Sequence, residues 1–215
     1  MSMNDYLNQK LINDGFILLD SKDLDIEPSL LKELNKIYNK YRTNPEQYFK
    51  SYRNHLQNYV LVESKEKFDK IIQKDSTKNN WFQLWRNCAL QHTEKNITDS
   101  YLSHIVYKLY GVEKEKYKIT SEMTCFTEGC AIVPHQDQGN SKRLCGILNY
   151  FSDEWDSSWG GELKVNDNSV CEPILGNIVV FDYTNNNVKH EVSKVIKSNK
   201  YRLSLTAFIE NYNDN

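Results

Sequence analysis

Two side chains able to bind a metal ion stand two residues apart in Pro134-His135-Gln136-Asp137. On an extended strand, residues i and i+2 project to the same side, so His135 and Asp137 can reach one ion while Gln136 points away. A second imidazole, His190, begins a predicted strand 53 residues after Asp137. Two histidines and one carboxylate on one face of an ion leave three positions open, which suits Fe(II) chemistry with a bound cosubstrate and oxygen. A tetrahedral zinc hydrolase would leave only one position open.

A basic residue on a later strand is a candidate partner for a carboxylate near that ion. Arg202 lies 12 residues after His190, and alternation along its strand separates two rows of side chains. The apolar row is Leu203, Leu205, Ala207 and Ile209, and the polar row is Arg202, Ser204 and Thr206. An inward polar row in a small barrel is costly unless a ligand satisfies it, and a guanidinium matches both oxygens of a carboxylate. The alternative is that the polar row faces water.

Tyr150 is a second candidate contact for the same carboxylate. It lies on the predicted strand Arg143–Phe151, where Leu144, Leu148 and Tyr150 share one face. Its hydroxyl can donate a hydrogen bond to a carboxylate. The alternative is an ordinary core tyrosine.

These side chains need a β-rich scaffold, and the sequence provides one after Tyr117, where the apolar spacing changes from helical to alternating. The predicted strands are Lys118–Phe126, Cys130–Pro134, Arg143–Phe151, Glu162–Val165, Val170–Ile174, Asn177–Tyr183, His190–Val195 and Tyr201–Ile209. Short strands separated by Gly, Asn, Asp and Ser predict a jelly-roll barrel or sandwich. One more strand, Gly15–Asp20, is predicted at a sheet edge.

From about residue 25 to 115 the apolar spacing is helical. One helix is predicted to begin at Pro28 and Ser29, with an apolar stripe formed by Leu30, Leu31, Leu34, Ile37, Tyr38 and Tyr41. A second has Thr98 as its cap, Gly111 at its end, and a stripe formed by Leu102, Ile105, Val106 and Leu109. We interpret His55, His92 and His104 as surface or hydrogen-bonded core histidines.

Composition indicates one globular domain. The chain has 215 residues and a formal net charge of -2 with no basic stripe, which gives no support for nucleic-acid binding. No signal peptide or apolar membrane span is visible, so we expect a cytoplasmic protein with reduced cysteines. Cys125 and Cys130 only weakly indicate a zinc site, and buried thiols are the simpler interpretation. We divide residues 1–215 into a mostly helical support, 1–116, and a catalytic jelly-roll core, 117–210.

The ordered set of motifs resembles the prolyl 4-hydroxylase-like branch of the Fe(II)/2-oxoglutarate oxygenases. The motifs are His135-x-Asp137, Trp159-Gly160-Gly161-Glu162-Leu163, Pro173 ahead of Asn177–Phe181, His190, and Arg202-x-Ser204. The resemblance covers about residues 117–210. It implies an α+β fold: a double-stranded β-helix (jelly-roll) core with a packed N-terminal helical layer.

The resemblance also implies site roles. His135, Asp137 and His190 would hold iron, Arg202 would grip the far carboxylate of 2-oxoglutarate, and Tyr150 matches the family's tyrosine. Ser204 and Thr206, on the Arg202 face, are further candidate cosubstrate contacts, and ascorbate is a further candidate cofactor. Collagen-type members have Lys where this chain has Arg202, and Phe126 stands nearest to the place of a second pocket tyrosine.

The implied reaction is hydroxylation of an unactivated C–H bond, in a prolyl residue of a peptide or protein or in a free amino acid, with release of succinate and CO2. The expected partners are 2-oxoglutarate, O2 and a small molecule or peptide, without nucleic acid or membrane. Asp137 favours hydroxylation, since related halogenases lack the carboxylate ligand. A non-catalytic binding or sensing module and a metal hydrolase remain alternatives. Gln138–Lys142, Trp81–Arg86, Trp155 and Trp159 are candidate substrate contacts.

Overall fold

The computed structural model describes residues 3–49, 51–53, 59–61, 64–76, 83–86, 92–137, 142–184 and 188–212. Its helices are α1 (Met3–Asp14), α2 (Pro28–Thr43), α3 (Pro45–Tyr48), α4 (Lys65–Ser76) and α5 (His92–Tyr110). Across these described ranges, no helix is long and apolar enough to cross a membrane.

The strands of the described part of the chain form two antiparallel sheets. They are β1 (Phe16–Asp20), β2 (Ser51–Arg53), β3 (Tyr59–Leu61), β4 (Gln83–Arg86), β5 (Tyr117–Phe126), β6 (Ile132–His135), β7 (Arg143–Tyr150), β8 (Leu163–Val165), β9 (Asn168–Cys171), β10 (Asn177–Asp182), β11 (His190–Val192) and β12 (Arg202–Asn211). The large sheet has the order β1-β10-β7-β12-β5-β4-β2-β3, and the small sheet has the order β6-β11-β8-β9. The two sheets line one cavity. This is the double-stranded β-helix that the sequence predicts.

The helical layer packs against the barrel as its apolar stripes predict. Helix α2 begins at Pro28 and buries Leu34, Ile37, Tyr38 and Tyr41. Helix α1 contacts α5, β1 and β10, and α2 contacts α5. The Tyr38 ring stacks on Phe151 with centroids 4.4 Å apart, and its hydroxyl donates to Asn149 Oδ1 on β7. Burial of these faces against the sheet is the main source of helix stability here.

The start of α5 differs from the prediction. The helix begins at His92, and Thr98 lies inside it with its hydroxyl donating to the carbonyls of Glu94 (3.1 Å) and Lys95 (3.0 Å). The prediction of Thr98 as a cap was therefore wrong, because a threonine hydroxyl can also bond back to the preceding turn. The predicted end is confirmed: Gly111 has φ 66° and its N–H donates to Tyr107 O over 2.8 Å.

The helical prediction for residues 25–115 omitted three short strands, β2, β3 and β4, which extend the large sheet beyond β5. Strand β9 also lies earlier than predicted. Asn166 and Asp167 both have positive φ, 49° and 67°, and form a two-residue hairpin turn that starts β9 at Asn168.

The remaining cysteines and histidines match their simpler interpretations where they are described. Cys125 and Cys130 are buried thiols. His104 Nε2 lies 2.8 Å from Leu24 O, so its ring is hydrogen-bonded at the edge of α5. The side chains of His55 and His92 lie outside the described residues.

Candidate metal centre

The register of the small sheet brings the two predicted imidazoles together. His190 on β11 pairs directly with His135 on β6, and their ring centroids are 4.3 Å apart. Asp137 follows β6 and completes the cluster: its Oδ1 is 3.5 Å from His135 Nε2 and its Oδ2 is 3.5 Å from His190 Nε2. All three ligand atoms lie within 4.8 Å of one another. Residues distant in sequence thus converge at one point between the sheets.

Backbone carbonyls orient both imidazoles. His135 Nδ1 lies 2.9 Å from Val133 O, and His190 Nδ1 lies 3.2 Å from Val188 O. Because a carbonyl only accepts, each Nδ1 carries the proton in the neutral ring and each Nε2 offers its lone pair to the centre. Metal-binding histidines are commonly held in this way.

The donor set fits an octahedral divalent ion. Donor atoms about 2.1 Å from such an ion and on one face of it lie about 3 Å apart. The 3.5 Å separations between Asp137 and the two imidazoles are close to this value. Two imidazoles and one carboxylate on one side are the ligands of a non-haem Fe(II) site.

Tyr183 is a contact of the site that the sequence analysis missed. It follows β10, and its hydroxyl donates to Asp137 Oδ2 over 2.6 Å. Burial raises the pKa of Asp137, but the two imidazoles, which donate to it from Nε2 when they are protonated, and the Tyr183 hydroxyl outweigh burial and hold the pKa far below its usual range. Burial lowers the pKa of His135, because it also disfavours a charged imidazole. The neighbouring Asp137 raises this pKa, and the net effect is that the pKa of His135 lies above its usual value. The cluster therefore favours an ionised Asp137.

Gly146 on β7 makes room for the Tyr183 hydroxyl. A Cβ at Gly146 would lie 2.5 Å from Tyr183 Oη and 3.1 Å from two ring carbons. With any larger residue at position 146, either the Tyr183 ring or the new side chain would have to move. The glycine and the tyrosine together fix the position of the Asp137 carboxylate.

Arg202 is buried at the other end of the same cavity, with 1% of its surface exposed. Its Nε donates to Gly161 O over 2.7 Å, and one terminal nitrogen donates to the Tyr150 hydroxyl over 2.9 Å. The guanidinium carbon lies 4.9 Å from the ring centroids of both Phe126 and Tyr150. Within the described ranges, no carboxylate forms an ion pair with Arg202. A buried cation without such a partner favours an anionic ligand.

Two glycines allow the backbone to approach Arg202. Gly160 has φ 71°, and a Cβ there would lie 1.9 Å from Lys194 O. Gly161 has φ 73°, and a Cβ there would lie 2.8 Å from Trp155 and 3.3 Å from Arg202 Cδ. The Gly-Gly pair of the predicted motif is thus required by close packing and by left-handed backbone angles.

The polar row predicted on β12 does face the cavity, which has a volume of about 480 Å³ and is lined by Arg202, Ser204 and Thr206. The Ser204 hydroxyl lies 2.6 Å from the Thr124 hydroxyl, a second contact that sequence reasoning missed. Tyr150 is fully buried behind Arg202 and does not line the cavity. Its hydroxyl supports Arg202, and direct contact between Tyr150 and a cosubstrate remains a prediction.

Residues 121–210 match the model of the 2OG-Fe(II) oxygenase superfamily. They are a 2OG-Fe(II) oxygenase domain. Oxygenases of this superfamily use Fe(II) and 2-oxoglutarate, as the sequence predicted, whereas ascorbate remains a prediction. None of the curated proteins matches the sequence.

Solved structures share the fold over most of the chain. A Pseudomonas putida prolyl-4-hydroxylase is 16% identical with a TM-score of 0.54, covering 98% of this chain and 100% of that one. A Trichoplax adhaerens prolyl hydroxylase, solved with a hypoxia inducible factor peptide fragment, is 18% identical with a TM-score of 0.59, covering 97% and 89%. A Burkholderia pseudomallei 2OG-Fe(II) oxygenase family protein is 14% identical with a TM-score of 0.60, covering 99% and 92%. At these identities the likeness shows the fold.

The remaining predicted substrate contacts of the oxygenase are described only in part. Residues 138–141 and the side chains of Trp81–Arg86 lie outside the described residues. Trp155 is buried, donates its Nε1–H to Gly160 O over 2.7 Å and meets the Trp159 ring edge to face. These two tryptophans therefore cover the barrel beside Gly160.

Proposed function

We propose that this oxygenase hydroxylates an unactivated C–H bond, in a prolyl residue of a peptide or protein or in a free amino acid, and releases succinate and CO2. In this proposal His135, Asp137 and His190 hold the iron, and Arg202 binds the far carboxylate of 2-oxoglutarate. The observation that carries it is a buried guanidinium opening into the same cavity as the two imidazoles and the carboxylate. The prolyl hydroxylases of similar fold support the substrate class.

Bound Fe(II), with 2-oxoglutarate and O2, supplies an oxidation in which one oxygen atom enters the substrate C–H bond and the other enters succinate. The chain's own residues supply orientation. Arg202 fixes one end of the cosubstrate, and the hydroxyls of Thr124 and Ser204 lie beside Arg202 on the neighbouring row. Apolar side chains line much of the remaining wall: Ile132, Ile147, Leu148, Leu163, Val192 and Phe208.

Anaerobic titration with Fe(II) and 2-oxoglutarate tests the proposed centre. We expect a weak metal-to-ligand absorption band in the visible range if 2-oxoglutarate binds a metal held by His135, Asp137 and His190. His135→Ala should abolish the band. His104→Ala is the matched control, since His104 lies on α5 and bonds to Leu24 O outside the cavity. A band that survives in His135→Ala, with the fold intact by circular dichroism, would contradict the assignment.

Product analysis separates the enzyme from its alternatives. An oxygenase forms succinate from 2-oxoglutarate in air, slowly even without a substrate. A binding or sensing module would give the absorption band without succinate. A zinc hydrolase would give neither the band nor a dependence on oxygen.

A further inference from the structure

A pair of opposite charges lies in the wall of the oxygenase cavity, apart from the metal cluster and Arg202. Arg53, at the end of β2, and Glu122, on β5, both line the cavity, with a terminal nitrogen of Arg53 3.7 Å from Glu122 Oε1. The side chains are 17% and 18% exposed, so both charges are largely removed from water. The proposed function assigns neither residue a role.

Strand register places Glu122 between the two ends of the cavity. Thr206 on β12 pairs with both Glu122 and Leu148, so these three residues form one row across the large sheet. The row two residues towards the Arg202 end contains Ser204 and Thr124. Rows of the same face are about 7 Å apart along a strand. Glu122 therefore lies two rows from Arg202, with the Ser204 row between them.

The row on the other side of Glu122 leads to the metal cluster. It contains Phe208 and Gly146, and Gly146 accommodates the Tyr183 hydroxyl that contacts Asp137. A molecule held at Glu122 would thus have its remaining atoms beside the reacting centre. Glu122 is thus one row from the metal end of the cavity and two rows from Arg202, so a substrate held at Glu122 lies nearer the metal cluster than the far carboxylate of the cosubstrate does.

The pair is a weak source of stability. Burial raises the pKa of Glu122, and Arg53 only partly offsets this increase. Partly buried ion pairs are often no more stabilising than apolar side chains of the same volume, because desolvation offsets their attraction. We expect apolar residues at these two positions to stabilise the fold equally well. Binding of a ligand that carries both charges would explain why charged residues are present instead.

We propose that the substrate is a free α-amino acid, whose ammonium group binds Glu122 and whose carboxylate binds Arg53. This proposal rests on the proposed function and chooses among its substrates. The two charged groups of an α-amino acid are attached to one carbon, which matches side chains whose charged atoms lie 3.7 Å apart. A residue within a peptide carries neutral amides at both positions and would leave this charge pattern unused.

The first test compares free and capped probes. The wild-type oxygenase is incubated with each of the twenty standard L-amino acids, with N-acetyl and C-amide forms of any that react, and with proline-containing peptides. We expect at least one free amino acid to raise succinate formation above the substrate-free rate and to gain one oxygen atom by mass. Both capped forms should react far less. Turnover of peptides with no reaction of any free amino acid overturns the proposal, as does a complete lack of stimulation.

The second test assigns each charge to its partner. Glu122→Gln should raise KM for the free amino acid about 10- to 100-fold, but it should have little further effect on the N-acetyl form. In the same way, Arg53→Gln should raise KM for the amino acid with a free carboxylate and have little further effect on KM for the C-amide form. A merely structural ion pair would instead weaken free and capped probes alike, which would overturn the assignment.

Matched controls are available for both variants. Glu191 pairs with Lys164 at 3.8 Å with 23% of its side chain exposed, and Arg42 pairs with Asp153 with 19% exposed. Neither residue lines the cavity, so Glu191→Gln and Arg42→Gln should leave KM within about twofold. Failure of this inference is distinguishable from failure of the proposed function. The absorption band and substrate-free succinate test the function, whereas only the amino-acid dependence tests Glu122 and Arg53.

Discussion

The hydrogen bond from Tyr183 to Asp137 should determine how tightly the centre binds metal. Tyr183→Phe removes a 2.6 Å bond to a carboxylate in a largely buried site. Hydrogen bonds to charged groups contribute about 1.5–3 kcal/mol. Because the metal-free protein also loses the bond, only part of this energy appears in metal binding. We therefore expect the dissociation constant of Mn(II) or Co(II) to rise about 10- to 100-fold, as found for outer contacts of metal ligands.

Gly146→Ala tests the same contact from the other side. The added Cβ would lie 2.5 Å from Tyr183 Oη, so the tyrosine must move away from Asp137 and the loss of metal affinity should resemble that of Tyr183→Phe. Tyr41→Phe is the matched control, because Tyr41 donates to Glu94 Oε2 over 2.7 Å in the helical layer. Anaerobic calorimetry measures all three without requiring turnover. Wild-type affinity in both Tyr183→Phe and Gly146→Ala would refute the positioning role of Tyr183.

Two further predictions concern protons and the cosubstrate. The folded-state pKa of His135 is raised above its usual 6.5, and a protonated imidazole cannot bind metal, so Mn(II) affinity should fall as pH drops through this raised value, by up to about tenfold per pH unit. The stability of the metal-free protein changes in the opposite direction with pH. The contribution of His135 to this stability is present below pH 6.5 and is lost as pH rises through the folded-state pKa. A pH series of Mn(II) titrations measures the fall in metal affinity, and an affinity independent of pH between 6 and 8 would contradict this prediction. Arg202→Ala should raise the apparent KM for 2-oxoglutarate about 100-fold while Mn(II) affinity stays within about threefold, with Arg202→Lys as an intermediate variant if Ala does not fold. An unchanged 2-oxoglutarate requirement in both variants would exclude Arg202 as the carboxylate partner.

Two parts of the candidate site have local signals in the sequence. Alternation on a strand places His135 beside Asp137, and the polar row of Arg202, Ser204 and Thr206 is visible in nine residues of sequence. Strand β12 contains the whole polar row, whereas β6 ends at His135 and Asp137 lies just beyond it. The strand positions of the jelly roll were predictable for the same reason.

Contacts set by tertiary packing were not predictable. Tyr183 lies 46 residues from Asp137, and nothing in its local spacing indicates that its hydroxyl reaches the carboxylate. Thr124 pairs with Ser204 only through the register of β5 with β12. Strands β2, β3 and β4 have three or four residues each, too few for a periodic signal, and they form by pairing outward from β5.

The direct pairing of His190 with His135 links iron to the folding of the small sheet. Strands β6, β11 and β8 have only four, three and three residues, so few backbone bonds define their alignment. A slip of one residue would turn one imidazole to the opposite face and abolish binding, so an ion that binds both selects the correct alignment. At a free metal concentration one hundred times its dissociation constant, this selection adds about 2.7 kcal/mol to the native state. An ion held at the proposed centre would thus also act as a cross-link between two strands that are otherwise weakly specified.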